Sequence, residues 1–260
     1  MIYPDDDCMM VDDPAVLSAT SPPSVLALHG LGGGRFELSP LIEALEQAGC
    51  RVSSPVLPGH EVTGPVMPAS NWEDWVKAVE DAFDELALFG RPVVVVGFST
   101  GGTLALLLAT RRPVARLLLL APFLAIRYVG LIPFRPASYL GPISAILPNL
   151  PRRSPPARDR QARRLLDQVV RFRTFSLKAT VSALELIERV KPLVPAIETP
   201  TLILQGKLDT VVDPAGADWL FEHLGSPEKK LLWFAKSDHL LALDHERSLV
   251  VALGRDFALG

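Results

Sequence analysis

The 260-residue sequence contains few cysteines and carries little net charge. Its two cysteines, Cys8 and Cys50, are too few for a disulfide framework, so we expect a reducing compartment. The formal net charge of −3 gives no support for nucleic-acid binding, which usually needs a clustered basic surface. Residues 1–13 include five aspartates and no basic residue, the opposite of the basic start of a signal peptide. These absences predict a cytoplasmic protein without a nucleic-acid partner.

Long apolar runs are also missing. The longest one, 117–126, lies between Arg116 and Arg127 and contains Pro122, so it is too short to cross a bilayer. We therefore expect no transmembrane segment. The five histidines show no metal-ligand spacing with the cysteines or carboxylates, and we expect no metal site. What remains is a chain that is 48% hydrophobic and long enough for one large α/β domain.

The most informative stretch is 93–102, Val-Val-Val-Val-Gly-Phe-Ser-Thr-Gly-Gly. Its four successive β-branched residues predict a strand that is covered on both faces. Gly97, Ser99 and Gly101 then fit the Gly-x-Ser-x-Gly nucleophile elbow, in which the glycines make room for a serine held in a strained turn. An Ala- and Leu-rich helix is predicted directly afterwards, over 103–111. This context predicts Ser99 as a nucleophile rather than as a serine in an ordinary turn.

Apolar strands alternate with helical patterns along the rest of the chain, with no internal repeat. This alternation predicts an α/β fold, with a doubly wound, mainly parallel sheet and helices on both faces. Residues 51–56 are one of the predicted strands. Ser70 and Glu73 have the spacing of a capping box and predict a helix that continues to Phe89. Asp244 is predicted as the cap of the last helix.

A change of composition over 122–190 predicts a small cap inserted into a core made of 1–121 and 191–260. Prolines are frequent in its first half and apolar residues persist, which is typical either of a lid over a hydrophobic pocket or of an irregular packed insertion. Residues 152–173 contain eight arginines, and the aspartates among them favour a solvated helix face over a surface for phosphate or acidic lipid. Residues 174–190 are predicted as a helix that returns to the core.

Three residues with complementary chemistry each follow a predicted strand: Ser99, Asp209 and His239. Because the carboxyl ends of parallel strands lie along one edge of a sheet, these residues can converge there. A serine hydroxyl is a weak nucleophile at neutral pH. It needs a histidine to accept its proton and a carboxylate to orient that histidine. We therefore predict Ser99 as nucleophile, His239 as general base and Asp209 as its acidic partner, in the chain order of α/β-hydrolases.

The glycine-rich loop 29–34, His-Gly-Leu-Gly-Gly-Gly, follows an early strand. It lacks the Lys-Ser/Thr pair of a phosphate-binding loop and the spacing of a dinucleotide fingerprint. In serine hydrolases built on such a sheet, an early loop supplies one backbone N–H to the oxyanion hole and the residue after the nucleophile supplies another. We predict the backbone amides of Leu31 and Thr100 as these two donors.

Other carboxylates and histidines compete for the same roles. Asp213 precedes Pro214 and is predicted as a helix cap. Asp238 adjoins the predicted base, and adjacent residues seldom orient well toward each other, so a role in a turn is favoured. His29 belongs to the glycine-rich loop and His60 to a Pro-Gly turn. The remaining histidines, both at predicted helix ends, are His223 and His245.

The chain resembles the α/β-hydrolase superfamily over nearly its whole length, and more narrowly the bacterial carboxylesterase and monoacylglycerol lipase group. The stretches that carry this resemblance are 29–33, 57–60, 97–102, 205–209 and 237–244. Two positions depart from the group's pattern. Asp238 stands where glycine is usual, and Thr100 stands where a larger residue often follows the serine. Neither departure removes a predicted catalytic group, but the first could alter the acidity of His239.

This resemblance implies hydrolysis of carboxylic esters with apolar acyl chains, beneath a small helical cap and without a cofactor. The implied substrate is a small ester or a monoacylglycerol. The resemblance does not select between them, because this superfamily uses one triad on esters, lipids, amides, thioesters and some carbon–carbon bonds. Acyl transfer, perhydrolysis and carbon–carbon hydrolysis therefore stay open, as does a non-catalytic binding protein on the same scaffold.

Overall fold

The structure is a computed structural model, and it describes residues 21–61, 64–125, 136–152, 154–170 and 172–260. The acidic start of the chain, Cys8 and part of the predicted cap therefore lie outside the described residues. Cys50, by contrast, is described and is a buried free thiol.

A six-stranded sheet forms the centre of the fold, and all of its neighbouring strands are parallel. From one edge of the sheet to the other, the strands are Arg51–Ser53, Ser24–Leu28, Val93–Phe98, Arg116–Leu120, Thr201–Gly206 and Lys229–Phe234. Gly97 pairs with Leu28 on one side and Leu119 on the other, and Gly206 pairs with Phe234. This register places the carboxyl ends of the central strands along one edge. The strands are β1 Ser24–Leu28, β2 Arg51–Ser53, β3 Val93–Phe98, β4 Arg116–Leu120, β5 Asn149–Pro151, β6 Thr174–Ser176, β7 Thr201–Gly206 and β8 Lys229–Phe234.

Helices flank the sheet, as the alternating sequence pattern predicts. The helices are α1 Ser39–Gln47, α2 Trp72–Ala87, α3 Thr100–Ala109, α4 Pro136–Ile146, α5 Arg160–Val169, α6 Leu177–Val190, α7 Ala215–His223 and α8 Arg247–Leu259. Short 3₁₀ turns occupy Arg35–Leu38, Lys191–Ala196 and Leu241–Leu243. Helices α1 and α8 pack against each other, and α2 packs against α3. The predicted α/β fold with a parallel sheet is confirmed.

Burial explains why these elements form. Strand β3 is buried along its whole length, which agrees with its run of valines. Helix α3 is apolar on every side and is buried from Thr100 to Leu108, so it lies at the centre of the domain rather than on its surface. Helix α2 is amphipathic and buries Trp75, Val79 and Phe83 on one face. Each such side chain contributes roughly 1.5–3 kcal/mol by leaving water.

The start of α2 differs from the prediction. The N-cap is Asn71, whose side-chain oxygen accepts a hydrogen bond from the backbone N–H of Asp74 at 2.9 Å. Ser70 is packed against Gly59 instead, and its hydroxyl is buried without a partner in the described part of the chain. Glu73 is exposed. The capping box is therefore wrong by one residue, because Asn71 has the extended backbone that a cap needs.

Two other predicted elements have different bounds. The strand predicted over 51–56 ends at Ser53, because β2 pairs only with Ser24–Leu26 and Pro55 has no N–H to continue the ladder. The helix predicted over 174–190 begins at Leu177, after β6 has paired with β5 as a separate antiparallel ribbon. Both wrong bounds concern strands of three residues, which are too short to show a clear alternation of apolar and polar side chains.

The segment between β4 and β7, named the inserted segment, carries this ribbon together with α4, α5 and α6. Helix α6 packs against α2 and α3 as well as against α4, so it joins the inserted segment to the core. The boundaries predicted for a cap, 122–190, stay a prediction. Across the part of the chain that the structure describes, none of the helices is long and apolar enough to cross a membrane.

Candidate active site

Ser99 stands at a sharp turn between β3 and α3. Its backbone angles, φ 53° and ψ −120°, are unusual for a residue with a side chain. A Cβ on Gly97 would lie 2.5 Å from the carbonyl oxygen of Gly101, and one on Gly101 would collide with the carbonyl of Leu28. The turn is fixed by hydrogen bonds from the Ser99 N–H to Leu120 and from the Phe123 N–H to the Ser99 carbonyl, each 3.0 Å long. The glycines of the motif are therefore required by packing.

The structure brings the three predicted residues together. The Nε2 atom of His239 lies 3.1 Å from Oγ of Ser99, and its Nδ1 atom lies 2.8 Å from Oδ2 of Asp209. Ser99 follows β3, Asp209 follows β7 and His239 follows β8, so all of them lie at the carboxyl edge of the sheet. All three side chains are buried. A hydroxyl, an imidazole and a carboxylate thus form one continuous hydrogen-bonded chain.

Asp209 is held by several donors besides His239. Its Oδ1 accepts from the backbone N–H groups of Val211 and Val212 at 2.8 and 2.9 Å, and its Oδ2 accepts from Nε2 of Gln205 at 3.0 Å. Burial opposes ionisation of this carboxyl, but the charge and hydrogen bond of His239, with these amides, lower the pKa of Asp209 below its ordinary value. Asp209 therefore stays ionised and orients the imidazole.

The pKa of His239 moves in the opposite direction. Burial opposes protonation of the ring, but the charge of Asp209 and its hydrogen bond outweigh burial and raise the pKa above the ordinary value. The carboxylates of Glu37 and Asp238 add to this rise. Because Nδ1 donates to Asp209, the neutral ring carries its lone pair on Nε2, which faces the serine hydroxyl. The ring is oriented to accept the serine proton.

Two backbone N–H groups next to Ser99 have no hydrogen-bond partner within the described residues: those of Leu31 and Thr100. The N–H of Thr100 is the first of α3, where the helix dipole favours negative charge. On either side of Leu31 the N–H groups are engaged, because Gly30 donates to Glu37 at 2.9 Å and Gly32 donates to His60 at 2.8 Å. That the Leu31 and Thr100 amides form an oxyanion hole stays a prediction.

The residues that support this loop were not predicted. Glu37 is buried, and burial raises its pKa against the opposing effect of its hydrogen bond from Gly30. Arg152, from the inserted segment, donates to the carbonyl of Gly32 and covers the ring of Phe175. The sequence does contain a signal for His60, the Leu-Pro-Gly-His turn, but nothing local shows that its ring reaches a loop 28 residues earlier.

His29 and His60 are structural in this arrangement. Nε2 of His29 accepts from the N–H of Leu57 at 3.1 Å, and the two imidazole rings meet edge to face with centroids 4.9 Å apart. Burial and the neighbouring His60 lower the pKa of His29 to about 4, and burial lowers the pKa of His60 as well. Both rings are therefore neutral at physiological pH and act as hydrogen-bond acceptors.

The competing carboxylates have other partners. Asp213 accepts from the N–H of Ala215 at 3.0 Å, but the N-cap of α7 is Pro214, so the predicted cap is wrong by one residue. Asp244 does not cap the last helix, which begins at Arg247 after Glu246. Its carboxylate is buried and accepts from four backbone N–H groups, those of Arg158, Asp159, Asp238 and His245. The cap prediction fails here because these groups converge on Asp244 from the inserted segment and from residues 235–246, the histidine loop between β8 and α8.

Two histidines near helix ends lie away from the triad. His223 is an exposed residue at the end of α7, where its ring contacts the carbonyl of Trp219, and His245 is also exposed. Among the residues that the structure describes, no three histidine, cysteine, aspartate or glutamate side chains are placed to hold a metal ion.

An apolar cavity of about 340 Å³ lies where α5 meets α1 and the Leu241–Leu243 turn. Its apolar lining includes Phe36, Leu165, Val169 and Leu243. None of Ser99, Asp209 and His239 lines this cavity. Whether the inserted segment covers a hydrophobic pocket at the serine stays a prediction, since residues 126–135 lie outside the described chain.

Comparison with known proteins identifies the family of this chain. The family model described as serine aminopeptidase, S33, matches residues 21–246. The chain is 29% identical over 242 residues to the thermostable monoacylglycerol lipase of Bacillus sp. (strain H-257), covering 91% of this chain and 90% of the relative. It is 24% identical over 228 residues to the carboxylesterase of Bacillus subtilis (strain 168), covering 87% of this chain and 88% of that protein.

A solved structure shows the same fold. The crystal structure of the monoacylglycerol lipase of Paleococcus ferrophilus superposes with a TM-score of 0.77 at 23% sequence identity, covering 92% of this chain and 96% of that one. The matched family region contains the elbow, the glycine-rich loop, the histidine loop and residues 207–214, the acid loop that carries Asp209. The chain therefore belongs to the serine aminopeptidase S33 family of hydrolases and has the α/β-hydrolase fold.

Proposed function

We propose that this protein is a serine carboxylic-ester hydrolase of the carboxylesterase or monoacylglycerol lipase type, acting through an acyl-enzyme. One observation carries the proposal: the hydrogen-bonded chain from Ser99 through His239 to Asp209, beside two backbone N–H groups that have no hydrogen-bond partner among the described residues. The names of its relatives, a monoacylglycerol lipase and a carboxylesterase, support esters with apolar acyl chains as the substrate class.

In the first half of the reaction, Oγ of Ser99 attacks the ester carbonyl carbon while Nε2 of His239 accepts the hydroxyl proton. The resulting imidazolium is stabilised by the ionised Asp209, which already accepts from Nδ1 at 2.8 Å. The tetrahedral intermediate collapses, the carbon–oxygen bond to the alcohol breaks, and His239 returns its proton to the leaving alkoxide. The products of this half are the free alcohol and an ester on Ser99.

In the second half, water takes the place of the alcohol. Nε2 of His239 removes a proton from this water as its oxygen attacks the acyl carbon of the Ser99 ester. Collapse of the second tetrahedral intermediate returns the proton to Oγ of Ser99 and releases the carboxylic acid. The enzyme is regenerated without any net proton change on its own residues.

The Leu31 and Thr100 amides are proposed to receive the negative charge of the carbonyl oxygen in both halves. The amides of Gly30 and Gly32 cannot do so, because each already donates to a buried side chain. Losing one oxyanion donor typically costs about 2.7–4 kcal/mol of transition-state stabilisation. Residues 122–190 are proposed as the cap that covers the acyl chain.

Hydrolysis of a p-nitrophenyl ester series from acetate to palmitate, together with glycerol release from a monoacylglycerol, tests the proposal. We expect hydrolysis with a preference for medium chains, and a loss of about a million-fold in Ser99→Ala. Ser226→Ala is the matched control, because this buried serine donates only to the carbonyl of Glu228, outside the active site. Activity that survives in Ser99→Ala with a normal melting curve would contradict the assignment.

The same assay distinguishes the remaining chemistries of the family. A p-nitroanilide of an amino acid tests peptidase activity. Alcohol and peroxide as acyl acceptors test acyl transfer and perhydrolysis, and a diketone substrate tests carbon–carbon hydrolysis. Turnover of any of these above the ester series would replace the ester assignment. Failure of Ser99 to react with any of them or with a serine-directed phosphonate would indicate a binding protein.

A further inference from the structure

Asp238 is the position at which this chain departs from the glycine usual before the histidine, and its carboxylate is buried. Oδ1 accepts from both the N–H and the hydroxyl of Thr210, at 2.8 and 2.9 Å, and from the N–H of His239 at 2.8 Å. Thr210 directly follows Asp209. The Asp238 side chain therefore joins the loop that carries the catalytic acid to the loop that carries the base.

Arg158, in the inserted segment, contacts the same two loops. Its Nε atom lies 3.2 Å from Oδ2 of Asp238, and its Nη2 donates to the carbonyl of Leu208 at 3.4 Å. Its backbone N–H donates to both oxygens of Asp244 at 2.9 Å. Asp244 also accepts from the N–H of Asp238 at 2.8 Å. This arginine is thus attached to the acid loop and the histidine loop at once.

We propose that Asp238 and Arg158 are positioning residues for the reaction: the Asp238 carboxylate fixes Asp209 and His239 relative to each other, and Arg158 ties this arrangement to the cap. The proposal rests on the proposed function for its effect on turnover. Neither side chain contacts Oγ of Ser99, so both act through His239 and the acid loop.

The charges of Asp238 and Arg158 also affect protonation of the His239 imidazole. The carboxylates that face His239 are Asp209 after β7, Glu37 from the Arg35–Leu38 turn and Asp238 from its own loop, and the ring of Phe98 packs on it at 4.8 Å between centroids. Arg158 offsets the charge of one of these three. Removing the Asp238 charge therefore favours the neutral imidazole, whereas removing the Arg158 charge favours the imidazolium.

The roles of Asp238 and Arg158 can be tested together, because their replacement should move the acid limb of the kcat/KM profile in opposite directions. Asp238→Asn keeps an oxygen that can accept from Thr210 and His239, but it loses the negative charge. We expect the acid limb of its kcat/KM profile to move to lower pH, and that of Arg158→Gln to move to higher pH. Both variants should lose about 10- to 100-fold in kcat for a short-chain ester with little change in KM, because the base is less well placed.

Arg247→Gln is the matched control. Arg247 forms an ion pair with Asp159 at 2.8 Å, so it also joins the inserted segment to the core. It donates to the backbone carbonyl of Asp244 at 3.3 Å, but it contacts neither the acid loop nor the imidazole. Its acid limb should coincide with that of the wild-type protein. Limbs that coincide in all four proteins, or that move in the same direction in Asp238→Asn and Arg158→Gln, would overturn the proposal.

Titration of the His239 ring by NMR tests the proposal without relying on turnover. The ring signal is assigned by its loss in His239→Gln, and its midpoint should fall in Asp238→Asn and rise in Arg158→Gln. A wild-type protein that hydrolyses none of the esters would contradict the proposed function, while these midpoint shifts would still support the pair. Active wild-type protein with unmoved midpoints would overturn only the pair. Melting curves of all variants identify any that fail to fold, and Asp238→Gly, which also removes the charge, then serves as the folded replacement for Asp238→Asn.

Discussion

Ser99 illustrates how much of an active site is decided by single residues. Its backbone lies outside the ordinary regions, which costs of order 1–3 kcal/mol unless neighbours hold it. Here the surroundings leave no room for a Cβ at Gly97 or Gly101. Packing around the turn therefore requires the glycines of the five-residue motif, and this is why Ser99 could be predicted as a nucleophile from sequence alone.

His239 leads to a prediction about pH. The imidazole must be neutral to accept the serine proton, and its pKa is raised above the ordinary value chiefly because Asp209 outweighs burial. Activity should therefore be low at acid pH and rise as the pH increases through this raised pKa. The kcat/KM profile over a series of overlapping buffers measures this limb.

Asp209→Asn should remove the charge that raises this pKa and allow the wrong tautomer of the ring. We expect kcat to fall about 10⁴-fold and the residual acid limb to move to lower pH. Asp213→Asn is the control, because Asp213 accepts from the N–H of Ala215 at the start of α7 and does not contact the ring. Equal activity in Asp209→Asn and the wild-type protein would contradict the role of Asp209 as the acidic partner.

Sequence reasoning at this scale found the residues that follow strands and missed those that act across space. Ser99, Asp209 and His239 could be predicted because each follows a strand of a parallel sheet. Glu37 and His60 could not, since their partners are backbone amides of the glycine-rich loop. Nearly every residue has a backbone N–H group, so the sequence does not show which of them donates to Glu37 or His60. Such a contact therefore has no local sequence pattern.

At the scale of elements, the glycine-rich loop depends on side chains from outside it. His60 accepts from the N–H of Gly32 next to the proposed oxyanion donor. We expect His60→Ala to lower kcat more than it raises KM, because the Leu31 amide then loses its fixed direction. Leaving the Gly32 amide buried and unpaired should also reduce the free energy of unfolding by about 1–3 kcal/mol.

His223→Ala is the control for this prediction, since His223 is exposed at the end of α7, where its ring contacts the carbonyl and the ring of Trp219. Ester kinetics and urea unfolding of both variants make the comparison. A His60→Ala protein with wild-type kcat would show that the loop holds its shape without this imidazole.

Helix α2 gives a second prediction about an element. Because Asn71 caps the helix, Asn71→Ala should lower the free energy of unfolding by about 1 kcal/mol. Ser70→Ala should cost little or nothing, because the Ser70 hydroxyl is buried without a partner in the described part of the chain. Chemical denaturation of the two variants tests this, and a larger loss in Ser70→Ala would restore Ser70 as the cap.

The elements that sequence reasoning misplaced share one physical property: they are short or at an edge. Strand β2 has three residues and one neighbour, and β6 pairs only with β5. Periodicity over three residues cannot distinguish a strand from a loop or from the first turn of a helix. The long elements, such as β3 and α2, have enough residues for burial to leave a clear pattern.

At the scale of the whole molecule, the parallel sheet is what makes the site. Residues separated by 140 positions, Ser99 and His239, lie within hydrogen-bond distance because β3 and β8 end at the same edge. The inserted segment then contributes Arg152 to the glycine-rich loop and Arg158 to the acid and histidine loops. The core and the inserted segment together therefore build one site.

The central claim is that Ser99 forms a covalent acyl intermediate, and mass spectrometry after brief reaction with a p-nitrophenyl ester or a serine-directed phosphonate tests it most directly. We predict one adduct per chain, mapped to the peptide that contains Ser99, which is absent in Ser99→Ala and slow to form in His239→Gln. An adduct on another residue, or a protein that hydrolyses esters without any adduct on Ser99, would contradict the account.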